Sequence, residues 1–116
     1  MIPDYTLEQV LKVVCDYYNV SKQDVVSEKK PKQIAKARQI YFYLGYELTK
    51  NSQAKVAEYI NRYHACTIYS HNKTVIEMQI YKHIKKEIKE ITVKLIGNIP
   101  FIPIDVNLLY ITQNYF

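Results

Sequence analysis

Residues 37–73, ARQIYFYLGYELTKNSQAKVAEYINRYHACTIYSHNK, constrain the chain more than any other stretch. They read as a long helix, a short helix, a tight turn and a further helix, which is the layout of a helix-turn-helix. In the long helix Ile34, Ala37, Tyr41, Leu44 and Leu48 recur at three- and four-residue intervals, so one apolar stripe faces a core. Thr49, Lys50 and Asn51 interrupt that stripe, and Asn51 or Ser52 offers a side-chain oxygen to cap the short helix. There Val56, Ala57 and Ile60 face inward, while Gln53, Lys55 and Glu58 face water. Asn61 tolerates a left-handed conformation, so Asn61 and Arg62 predict a bend into a helix that begins near Tyr63 or His64.

From that bend, His64, Thr67, Ser70, His71 and Thr74 line one expected polar surface, with Ile68 and Val75 on the opposite, packing side. Such a surface fits a major groove; it is equally the solvated face of a three-helix packing unit, and periodicity alone leaves both readings open.

Upstream, Leu7, Val10, Leu11, Val14 and Tyr18 mark the inner face of a first helix. Thr6 with Gln9 resembles a capping box, Asn19 and Val20 close the helix, and Ser21 with Asp24 opens a short second one. The next segment, SEKKPKQIAKAR, holds Lys29, Lys30, Lys32, Lys36 and Arg38 against the single acid Glu28. A basic loop of this kind suits a phosphate backbone or a minor groove, and a plain solvated loop accounts for it too. Basic residues in a helix's first turn oppose its dipole, an arrangement that a bound phosphate relieves. The whole chain carries a net charge of +5, a moderate excess that favours a polyanionic partner.

These pieces, taken in order, carry a resemblance. The helix ending DYYNV, the run DVVS, the basic loop, and ARQIYFYLGYELT followed by a serine-capped helix resemble the C-terminal DNA-binding domain family of the bacterial replication initiator DnaA. The likeness covers residues 5–75. It implies an all-α bundle similar to the Trp repressor's, with a helix-turn-helix in the major groove of double-stranded DNA and the basic loop at the minor groove. The DNA-contacting set it suggests is Lys29, Lys30, Lys32, Arg38, Ser52, Lys55, Arg62, Tyr63, His64, Thr67, Ser70 and His71.

The family's recognition signature runs Arg-Asp-His-Thr-Thr or Arg-Asp-His-Ala-Thr, where this chain has RYHACTIYSH. With a turn one residue shorter, Arg62 and His64 fall on the family's arginine and histidine and Tyr63 replaces the aspartate. Without that gap, His64, Ala65, Cys66 and Thr67 take the last four places and only the final threonine survives. Either way base-reading groups are lost, and Lys30 and Lys32 stand where the family carries arginines, whose planar two-pronged contact a lysine cannot make. The resemblance therefore does not carry over the family's own target sequence.

Past the resemblance, Ile76, Ile80, Ile84, Ile88, Ile91 and Leu95 predict one amphipathic helix, either packed on its own domain or pairing two protomers in a homo-oligomer. The expected organisation is a helix-turn-helix domain over residues 1–96 and an apolar tail over 97–116. In that tail Asp105 is the only charge and Pro100 and Pro103 favour an extended start.

Gly45 and Gly97 are the only glycines, so no phosphate-cradling GxxxxGK[ST] loop is present and nucleotide hydrolysis is not expected. No cofactor or metal is expected either. His64 and Cys66 are two residues apart, about 200 degrees around a helix, which separates them both as zinc ligands and as a nucleophilic pair. No apolar run approaches the roughly 20 residues of a membrane span. Two cysteines, Cys15 and Cys66, and no signal-like segment before the first helix fit a reducing cytoplasm, with association to the nucleoid. The rival class is a protein-interaction module that keeps the scaffold and has lost base readout.

Overall fold

The computed structural model describes residues 5–97, which form six helices and no strand. The expected tail lies outside the described residues apart from Gly97. Helix α1 (Leu7–Tyr18) opens on the expected capping box: the Gln9 amide donates to Thr6 Oγ1 at 3.1 Å and the Thr6 amide to Gln9 Oε1 at 2.9 Å. It ends at Asn19, whose φ of 56° is left-handed. A second box, Ser21 with Asp24, starts α2 (Lys22–Val26).

Helix α3 (Lys32–Leu48) follows Pro31, which stands just ahead of the first turn. Ile34, Ala37, Ile40, Tyr41, Phe42, Tyr43, Leu44 and Leu48 are buried on it. A helix apolar on so many sides belongs in the middle of a bundle, and α1, α4 and α5 pack around it. The buried Tyr41 hydroxyl donates to Val56 O at 2.7 Å, so its burial leaves no unpaired donor.

Ser52, rather than Asn51, caps α4 (Gln53–Tyr59), accepting from the Lys55 amide at 3.1 Å. Val56, Ala57 and Ile60 are buried, as their spacing requires. Asn61 then takes φ 62°, the left-handed bend that the turn needs, and α5 (His64–Ile80) leaves it with Tyr63 at the cap position.

The single helix expected from the isoleucine stripe is two. Tyr81 is extended at φ −115° and ψ 116°, its amide still bonded to Glu77 O at 2.7 Å, and α6 (Lys82–Gly97) restarts immediately after it. The break turns α6 back along α1. Tyr17 donates to Glu90 Oε2 at 2.5 Å, and Lys94 Nζ lies 5.4 Å from the Tyr17 ring centre. Ile84, Ile88, Ile91 and Leu95 are consequently inside the chain's own core, while Ile76 and Ile80 are exposed on α5. A stripe divided this way does not offer one continuous face to a second protomer.

Candidate nucleic-acid interface

The basic loop between α2 and α3 is held by two arginines. Arg38 donates through Nε to Val25 O at 3.0 Å and through Nη2 to the carbonyls of Ser27 at 2.9 Å, Asp24 at 3.3 Å and Lys29 at 3.3 Å. Arg62, from the helix-turn-helix bend, donates through Nη1 to Val26 O at 3.0 Å, Ile60 O at 3.2 Å and Asn61 O at 3.3 Å, and through Nη2 to Ser27 O. The five-donor fork of a guanidinium suits this work, since main-chain carbonyls inside a bend otherwise lack donors. Both side chains were expected on the DNA. Their bonded donors fasten the loop to α3 on one side and to the bend on the other, and both half-buried side chains also border the hollow beside Lys30. Burial, and after it the like charge of Arg62, lower the pKa of Arg38 from its ordinary value.

Of the loop lysines, Lys29 reaches back to Asp24 Oδ1 at 3.0 Å. That bond, with those from Ser21, holds the Asp24 carboxyl below its usual range. Lys30 and Lys32 are exposed. Lys30 shares a hollow of about 630 Å³ with Arg38, Asn61, Arg62, Tyr63 and Cys66, which puts the loop, the bend and the start of α5 on one side of the bundle. Lys32 opens onto an adjoining cleft of about 740 Å³ with Lys36, Ser70 and Lys73.

The expected reading face of α5 is rotated. Thr67 is fully buried and donates to Gln53 O at 2.9 Å, tying α5 to the first residue of α4. Thr74, also fully buried, donates to Ser70 O at 2.7 Å and accepts from Gln39 Nε2 at 3.0 Å. His71 is turned against α3, its Nε2 2.6 Å from Glu47 Oε1 and its ring stacked on Tyr43 at 5.1 Å. Ser70 is half-buried at the cleft edge. Of the expected set on this helix and its cap, His64 and Tyr63 stand out in solvent, Tyr63 84% exposed.

The residues that do face outward are Ala65, Ile68, Tyr69, Asn72 and Lys73, of which sequence reasoning mentioned only Ala65 and Ile68 and placed Ile68 on the packing side. The available signal was the seven-residue separation of Thr67 and Thr74, one face of a helix. A threonine can bury that face by returning its hydroxyl to a nearby carbonyl. Ser52 and Lys55 are exposed at the start of α4, beside the place where Thr67 joins the helices.

Among the described residues no group of three His, Cys, Asp or Glu side chains could hold a metal ion, and no helix is long and apolar enough to cross a membrane. Cys15 is buried, and burial followed by the charges of Asp16 and Asp24 pushes its thiol up to about 11, away from the reactive thiolate.

Comparison with known proteins gives a consistent result. The family model described as bacterial dnaA protein helix-turn-helix matches residues 7–74. The chromosomal replication initiator protein DnaA of Caldanaerobacter subterraneus subsp. tengcongensis is 32% identical over 94 residues, 81% of this chain and 21% of that protein. The protein of the same name from Lacticaseibacillus casei is 33% identical over 87 residues, 74% of this chain and 19% of that protein. The one from Desulfatibacillum aliphaticivorans is 37% identical over 65 residues, covering 56% and 14%. The chain thus spans at most about a fifth of the length of these relatives.

Proposed function

The chain belongs to the bacterial DnaA helix-turn-helix family, and from that footing we propose that it binds double-stranded DNA, without catalysing a reaction, in replication initiation or its regulation. The N-terminal half of α5 enters the major groove, presenting Tyr63, His64, Ala65 and Ile68 to base edges. The exposed Lys30 and Lys32 approach phosphates and the neighbouring minor groove, with Ser52, Lys55 and Lys73 along the flanking backbone. Such work belongs where the chromosome is, in the cytoplasm at the nucleoid.

One observation carries this reading: Arg38 and Arg62 meet at the Ser27 carbonyl, so a single atom joins the basic loop to the helix-turn-helix bend. The two parts that must touch a duplex together are thereby preorganised, and less ordering remains to be done on binding. In this assignment Arg38 and Arg62 position the DNA-contacting groups, and Thr67 and His71 set the orientation of α5. Apolar and aromatic groups at the base-facing positions favour thymine methyl contacts over the family's polar readout, so the preferred site differs from the relatives'.

Titration of random and selected duplexes across a salt series tests the proposal. Neutralisation of about four phosphates, by Lys30, Lys32, Lys55 and Lys73, gives a log–log salt slope of roughly −3 to −4, with tighter binding to the selected site. A flat response with no duplex bound would return the chain to the rival class, a scaffold that assembles with proteins. Of the isoleucine stripe on which a homo-oligomer through residues 76–95 and the C-terminal tail was expected to rest, Ile84, Ile88, Ile91 and Leu95 are buried in the chain's own core and Ile76 and Ile80 are exposed.

A further inference from the structure

The outer face of α6 is basic, with no acid on it. At about 3.6 residues per turn, Lys82, Lys85, Lys86 and Lys89 fall within an arc of about 100°, turned away from the buried stripe of Ile84, Ile88, Ile91 and Leu95. Lys82, Lys86 and Lys89 are exposed and Lys85 is half-buried. The two acids of the helix are engaged on another side: Glu90 accepts from the Tyr17 hydroxyl, and Glu87 lies 3.9 Å from Lys36 Nζ. Among the described residues none of the four lysines is paired with an acid. Like charges three and four residues apart repel on a helix, so this arrangement weakens α6 unless an anion covers it.

We propose that this face grips the phosphate backbone of a second segment of duplex, without regard to sequence, while the first segment is read at α5. The inference rests on the reading already given for α5 and adds a partner to it. None of the four lysines borders the hollow or the cleft beside the bend and the basic loop. Helix α6 starts at the C-terminal end of α5, about 25 Å along that helix from the bend. It packs on α1 and α5, whereas α4 packs on α3 and α5. The two basic surfaces are therefore separate, and each can hold its own segment.

The chemistry of the face selects nucleic acid among anionic partners. Four ammonium groups on roughly 10 Å of helix meet a duplex that presents about one charge per 1.7 Å of its axis. A lysine is a point charge on a flexible stem, suited to phosphates met in no fixed register. A helix bound to a membrane surface lays its apolar side in the lipid, and that side of α6 is inside the chain's own core. A protein interface takes an aromatic or arginine anchor at its centre. Here Tyr81 and Val93 stand only at the two ends, with lysines between them.

A bridging assay on the full chain tests the inference. A selected-site duplex is immobilised, the chain is bound to it and the excess removed, and a labelled duplex of random sequence is added at low salt. The unaltered chain is expected to retain the second duplex. Retention is expected to fall at least ~10-fold in Lys82→Gln/Lys85→Gln/Lys86→Gln/Lys89→Gln, which removes only repulsion from α6 and holds the immobilised duplex as the unaltered chain does. Arginine at the same four positions keeps the charge and is expected to keep the second duplex. A chain that holds the first duplex and not the second overturns the inference and leaves the reading of α5 standing, whereas a chain that holds neither overturns both. Bridging that survives the glutamine variant puts the second duplex on another molecule's α5 and overturns the inference. So does capture of phosphatidylserine–phosphatidylcholine vesicles through these lysines in place of the second duplex.

Discussion

Helices α3 and α5 have the same length, 17 residues, and opposite burial: α3 hides nine of them and α5 three. The core side of α3 is hydrocarbon and aromatic ring. The inner side of α5 is fastened in large part by polar groups, through Thr67 to Gln53 O, Thr74 to Gln39, and His71 to Glu47. Hydrophobic burial is non-directional and sets where a helix goes, while hydrogen bonds need particular geometry and set how it is rotated. In this molecule α3 is the post and α5 is the part whose outward face has been fixed.

The comparison breaks most sharply under truncation of the two helices. Ile40→Ala, in the centre of α3, is expected to cost about 2–5 kcal/mol by chemical denaturation, from lost transfer energy and an unfilled cavity. Ile68→Ala, on the outer side of α5, is expected to stay within roughly 0.5 kcal/mol of the unaltered protein. Similar losses at both sites would mean that α5 is as deeply built into the fold as α3.

Between the two helices lies the joint made by the arginines. Arg62→Ala strips donors from Val26 O and Ser27 O, and we expect about 10- to 100-fold weaker duplex binding with the salt slope nearly unchanged, because the residue positions the loop without touching phosphate. Lys30→Ala is expected to weaken binding less while reducing the slope by about 1. Measured slopes in the reverse order would put Arg62 on the phosphate and Lys30 off it.

A smaller effect separates docking from reading on α5 itself. Thr67→Val keeps the shape and deletes the bond to Gln53 O, so it is expected to lower stability by about 1 kcal/mol. Preference among selected sites should remain, since the side chain is buried. A change of preferred base with stability intact would make Thr67 a reader after all.

What the sequence disclosed divides along the same line. Thr6 with Gln9, Ser21 with Asp24, and Asn61 at the bend were legible because a cap or a left-handed turn is a local arrangement of a few neighbouring residues. The inner stripe of α3 was legible because apolar spacing encodes it. The rotation of α5 was not, since Thr67 and Thr74 look like surface residues until a carbonyl meets them, and Gln53 O is supplied by another helix. The break at Tyr81 escaped for a related reason. Ile76, Ile80, Ile84 and Ile88 keep a helical interval straight across it, although the first two face out and the last two face in. Likewise, Arg38 and Arg62 advertise a phosphate partner by type, and only the fold reveals that they also bond main-chain carbonyls of the loop and the bend.

The smallest expected effect lies at the α1–α6 seam, where one phenol adds a titratable contact to an apolar joint. Burial, then the bond to Glu90 and the charges of Glu90 and Glu87, push the Tyr17 hydroxyl from 10.0 up to about 12. The folded chain therefore holds that proton more tightly than the unfolded one. The contribution is complete below the unfolded pKa near 10 and is lost as pH rises through about 12. Tyr17 is only partly buried, so solvent screening keeps the effect small. Denaturation midpoints measured from pH 9 to 12 should fall less steeply in Tyr17→Phe than in the unaltered chain. Across the same range Thr67→Val should track the unaltered chain, because the polar joint it removes does not ionise. Equal slopes in Tyr17→Phe and the unaltered chain would show that the seam is held by Ile84, Ile88, Ile91 and Leu95 alone, leaving polar fastening as a property of α5 and not of the bundle.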